Sequence, residues 1–243
     1  MKKILSSSKY KRNLLLAAIF FIVASISIHS FGLYIPYRLL RALAAFTALI
    51  YLLSVHGKKL PLWISNFLIF LGLSSTASLW YENSIMATVT IVLDLASIIV
   101  LIASVLPKVK FKQIIKQLSL IFLVVVVING YLLLQFIGLF KEMTLSNTHY
   151  IFIFLLAISI VFLAFLTLAY NHFFHSGSSF VFTGFVFLFI FAEVFRAFGY
   201  YELAYSLAFV YLARILLILA ICTLVHFTFL KQKEIEEPKS IRN

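Results

Sequence analysis

Charge and cysteine are what this 243-residue chain has least of. Only 8 residues are Asp or Glu, and charged residues make up 12% of the chain against 63% hydrophobic. That leaves too little polar surface to coat a water-soluble globule, so the chain reads as an integral membrane protein. The single cysteine, Cys222, lies in an apolar run, which excludes a disulfide framework and a cysteine metal cluster. No G-x-S-x-G, H-E-x-x-H or phosphate loop occurs, and no cofactor or metal is expected. No Lys falls between Lys141 and Lys231 to form the Schiff base of a retinal protein. The formal charge of +12 does not point to nucleic acid, because the basic residues sit in short clusters between apolar runs, where they act as topology signals.

What is present is a series of apolar runs of membrane length. A basic segment, 1–13, precedes a transmembrane region over 14–230, and a polar tail occupies 231–243. The runs predict eight spans, at about 14–33, 38–55, 61–80, 85–106, 118–140, 150–173, 180–198 and 203–230. Pro36 marks the turn into the second, Pro61 suits the first turn of the third, and Ser146-Asn147-Thr148 is a start signal for the sixth. The first run is too long for a signal peptide and lacks a small-residue cleavage site, so it is read as a retained helix. The fold class is therefore all-α, an eight-transmembrane-helix bundle. An even count puts both termini on one side, and of the 20 Lys and Arg, fifteen fall on that side. The positive-inside rule makes that side cytoplasmic, in a plasma or bacterial inner membrane. Residues 79–106 align without gaps on 197–224, each with an aromatic-acid turn and a mid-helix charge, which suggests an internal repeat of helix pairs.

Charges inside the apolar runs carry the functional question. Bare charge at membrane depth costs at least ~2.5 to 3.5 kcal/mol, so such residues pair, face a polar interior or line a pathway. Asp94 and Arg214 each fall ~14 to 17 Å from the outer ends of their spans, near mid-membrane, and can pair if their helices are neighbours. Glu193 and Arg196 are shallower and three apart on one face, able to pair with each other or with Arg38 or Arg41. The alternative is purely structural, with ion pairs tying helices together and Arg38, Arg41 and Arg196 reaching outward to headgroups. Asn129 and Gln135 add polarity to the fifth span. The small hydroxyl residues Ser74, Ser75, Thr76 and Ser78 suit close helix contact in the third. His172 and His175 have a two-ligand spacing without an evident third ligand. The 27 Phe and 12 Tyr fit lipid-facing packing and interfacial belts.

The stretch GFVFLFIFAEVFRAFG followed by FVYLARILLILA, in an eight-span chain of this length, resembles the YhhN-type lysoplasmalogenase family. Ala192-Glu193 stands where that family has Ser-Asp, and Tyr211, Ala213 and Arg214 stand at its Tyr, Ala and Gln positions. Gly72-Leu73 replaces a Gly-Asp, Asp94 falls about where the family has His, and Arg38-Leu39 takes the place of a Lys-Pro. The resemblance implies hydrolysis of the vinyl ether of a lysoplasmalogen. A proton goes to the vinyl carbon, water adds to the oxocarbenium-like centre, and a fatty aldehyde and a glycerophospho-base leave. It implies Glu193 as the acid, since burial helps a carboxyl group keep its proton. Asp94 would orient the water, and Arg214 would tune them or contact lipid phosphate. Arg38, Arg41, Arg196, Tyr211 and Asn129 would contact substrate, a lysolipid drawn from the membrane. Two other classes use the same features: a small-solute or proton-coupled transporter, and a non-catalytic membrane scaffold.

Overall fold

A computed structural model describes residues 7–109, 131, 135, 138, 144, 146–200 and 206–236. Among them there is no strand, and seven helices are long and apolar enough to cross a membrane. These are α1 (Ser7–Ser30), α2 (Tyr34–His56), α3 (Leu62–Ala77), α4 (Ser84–Val105), α5 (Asn147–Phe174), α6 (Gly177–Tyr200) and α7 (Ser206–Glu236). The fifth expected span, 118–140, lies almost wholly outside the described residues, as does Asn129; Gln135 is helical and exposed.

Element boundaries follow local chemistry. Asn83 caps α4, its side chain accepting from the Ile85 and Met86 N–H groups at 2.9 and 3.3 Å. Ser146 does the same for α5, accepting from His149 N at 3.1 Å. Two expected boundaries differ. Pro36 lies inside the first turn of α2 and does not precede it, because the first helical N–H groups have no intrahelical acceptor and lose nothing when one is missing. The turn falls instead at Gly32, whose φ of 73° lies in the left-handed region. The polar residues 231–236 continue α7 and are not yet tail. There Glu234 accepts from Ser178 N at 3.2 Å and Ser178 Oγ at 2.7 Å, satisfying donors at the start of α6.

The chain divides into two compact units, Met1–Leu60 with His175–Asn243, and Pro61–Phe174. In the first, α1 runs antiparallel to α7 over its length. Tyr10 meets His226 at 3.0 Å, Leu14 meets Cys222 and His29 meets Tyr211, so one number falls as the other rises. α6 is also antiparallel to α7, with Ser178 at Glu234, Phe182 against Phe227 and Phe195 against Phe209. α2 is parallel to α7, with Tyr37 at Val210 and His56 against Phe229. Much of the phenylalanine expected to face lipid is core here. Phe182, Phe185 and Phe189 are buried along one face of α6, while Phe180 and Phe191 are exposed.

In the second unit α3 and α4 form an antiparallel hairpin. Ser74, Ser75, Ser78, Thr90 and Ser97 are buried and hydrogen-bonded, mostly to carbonyls of the preceding turn, and Gly72 is buried among them. α4 runs parallel to α5: Tyr81, just before α4, contacts His149 at the start of α5, and Lys108, just after α4, lies over the Tyr170 ring near its end.

The register of α1 against α7 gives a direct test. With Leu14→Cys, oxidation should form a disulfide to the native Cys222 in most molecules, whereas Leu16→Cys, whose side chain faces outward, should form little. Equal yields on a non-reducing gel would show that α1 does not dock in this register.

Candidate functional site

In each of four helices the buried apolar face carries one charged residue in its helical period. On α6 the face Phe182, Phe185, Val186, Phe189, Ile190 ends at Glu193, and on α7 Arg214 stands three and four residues before buried Leu217 and Ile218. On α2 Arg41 leads a face of Ala45, Ala48, Leu49 and Leu52, and on α4 Asp94 sits among Thr90, Ile91, Ser97 and Ile98. A face buried on a 3.6-residue period carries its charged member inward with the apolar ones.

Within the first unit these positions converge. Arg41 Nη2 donates to Glu193 Oε1 at 2.7 Å, with both side chains buried, and Arg196 Nη2 lies 2.5 Å from Glu193 Oε2. Of the three arginines the sequence leaves open to Glu193, Arg41 and Arg196 meet it, and Glu193 ties α2 to α6. Arg41 does not reach outward as in the structural alternative. Arg196 stays partly exposed, and Arg38 is half-buried.

Arg214 is held differently. Its Nη2 donates to the Tyr37 carbonyl at 2.9 Å, and its guanidinium lies over the Tyr37 ring, 4.1 Å from the centroid. Nη1 is buried with no hydrogen-bond partner among the described residues, in a residue only 5% exposed. Beside it, His29 packs edge-on against Tyr34, Tyr37 and Tyr211 and lies 3.4 Å from the Tyr211 hydroxyl. Tyr37 and Arg41 are four residues apart on one face of α2, so Arg214 and the Arg41–Glu193 pair lie about one helical turn apart.

The sequence singled out Arg38, Arg41, Glu193, Arg196, Tyr211 and Arg214, all of which belong to this unit. It did not single out Tyr37 or His29. The i,i+4 relation of Tyr37 to Arg41 was the available signal for the first, and nothing local marks the second. Asp94 belongs to the other unit, where Ser74 Oγ donates a hydrogen bond to its Oδ1. Among the described residues no three His, Cys, Asp or Glu side chains come together as metal ligands. No family model, curated protein or solved structure matches the chain.

Chemically, the first-unit cluster holds three arginines, Arg41, Arg196 and Arg214, to one carboxyl group, Glu193. Two guanidinium groups meet one carboxyl group there, and the unfilled, buried guanidinium N–H of Arg214 is a donor awaiting an oxygen. The Arg41–Glu193 link is measurable. Arg41→Gln should cost on the order of 3 kcal/mol in detergent-solubilised unfolding, while the double variant Arg41→Met, Glu193→Met should recover much of it, because no uncompensated charge stays buried. Strictly additive losses would show that the pair does not couple the helices.

Proposed function

We propose that the chain is an eight-span membrane protein that binds a lysolipid through its phosphate, as the likeness to lysoplasmalogenases implies, in the cationic cluster of the first unit. The observation that carries this reading is Arg214 Nη1, a buried donor without a partner beside His29, Tyr37 and Tyr211. A phosphate oxygen supplies the missing acceptor. Hydrolysis of the vinyl ether asks more of Glu193, which must hold a proton. Phosphate arriving at the arginines competes with Glu193 for them, and a carboxyl group so released is free to serve as the general acid toward the vinyl carbon.

Eight spans are supported by a parity argument. α4 and α5 run parallel, as an odd number of spans between them requires, and 118–140 is apolar and long enough to be one. The start of α1 and the end of α7 lie together, as both termini on one side require, and the Lys and Arg bias makes that side cytoplasmic. The antiparallel hairpins α3–α4 and α6–α7 are the two halves of the proposed repeat.

Reporter fusions after Gly57, after Lys110 and at Asn243 should read cytoplasmic, and fusions at Glu82, Lys141 and Glu202 should read outside; reversal at two sites would sink the eight-span topology. For the site, Arg214→Gln should weaken binding of a lysoplasmenyl or lysophosphatidyl lipid ~10-fold or more, the scale of one charged hydrogen bond, while the fold survives. Wild-type protein that binds no lysolipid in mixed micelles, or a variant of equal affinity, would refute the reading. Glu193→Gln should lower turnover ~10²-fold or more per folded molecule if hydrolysis occurs.

A further inference from the structure

At the end of the first unit opposite the arginine cluster, an apolar groove of about 320 Å³ lies between α1, α6 and α7. Leu14 forms one wall, Phe180, Val181 and Gly184 another, and Leu219 and Cys222 the third. We propose that this groove holds one acyl chain of an anionic phospholipid from the leaflet on the side of the termini. It is a second lipid site, independent of the lysolipid reading above.

Shape and charge select this occupant. From Leu219 to His226 the groove follows α7 for about 10 Å, two-thirds of the ~15 Å half-thickness of a bilayer core. A single extended hydrocarbon chain is thin enough to lie along that length between the three helices. Among the described residues nothing fills this space: a Cβ added at Gly184 would meet no atom within 4 Å. An empty apolar void forfeits dispersion contacts along its whole lining, and water finds almost no polar partner there.

The mouth supplies the charge. His226 lines the groove where it approaches the end of the unit, hydrogen-bonded to Tyr10, and Lys11 is close enough for its charge to act on His226. Lys11 and Arg12 on α1, Lys58 and Lys59 after α2, and Lys233 on α7 are exposed at this end. Basic residues at a membrane surface attract anionic headgroups. A chain seated in the groove thus places its phosphate among lysines.

Native mass spectrometry after exchange with dioleoyl phosphatidylglycerol or dioleoyl phosphatidylcholine tests this. One phosphatidylglycerol should stay bound per chain, at least ~10-fold in preference to phosphatidylcholine. Gly184→Leu, which grows into the open space, should abolish retention with the thermal midpoint unchanged or raised, and Lys11→Gln with Arg12→Gln should erase the headgroup preference. If Gly184→Leu does not fold, Leu14→Phe, which projects into the groove from α1, decides the question in its place. Arg214→Gln should leave retention intact. The proposal is overturned by retention that survives filling of the groove, by equal retention of the two lipids in the wild type, or by none.

Discussion

A guanidinium group in hydrocarbon has to be given oxygens, and the first unit is arranged so that its arginines receive them. Arg41 takes a carboxylate from α6, and Arg214 takes a carbonyl and an aromatic face from α2. These contacts fix which faces of α2, α6 and α7 turn toward one another, since a rotation of any one helix by a single residue step would strand a charge. Phenylalanine packing between α6 and α7 adds contact area. Dispersion between apolar surfaces has little power to choose one rotation over another in a solvent as apolar as the side chains, whereas polar contacts do.

The second unit meets the same constraint with hydroxyl groups. Ser75, Thr90 and Thr167 return their protons to carbonyls one turn earlier, so polar atoms cross the interior without needing partners on another helix. Their small size, with Gly72, brings α3 and α4 close. Asp94 instead takes its partner across the α3–α4 contact, from Ser74.

Helix existence was legible because membrane-length apolar runs leave few alternatives, and the start signal at Ser146 was legible because short polar side chains compete for free N–H groups, whereas Asn83 read only as part of a turn. The start of α2 was not: Pro36 is equally at home in a turn or a first helical turn, and only the neighbouring Gly32 resolves which. The residues of the candidate site were visible as charges out of place in apolar sequence. Their partners were visible only as a set. Depth along a span allowed Glu193 three arginines, and the structure gives it Arg41 and Arg196. The groove beside Gly184 left no mark, because an absent side chain in an apolar helix reads the same whether the space beside it is filled or empty.

The first unit is built from the first two helices and the last two, and its ion pair joins residues 152 positions apart. At ribosomal rates of about 5 to 20 residues per second, Arg41 is made roughly 8 to 30 s before Glu193 exists. During that interval α1 and α2 are in the membrane with a cation whose carboxylate has not been synthesised. The nascent chain therefore passes through a stage in which an arginine built for the interior faces lipid headgroups, water or the insertion machinery. Assembly of this unit is a late event in biosynthesis, triggered by arrival of the C-terminal hairpin, and a chain truncated before α6 leaves the ribosome with that arginine still waiting.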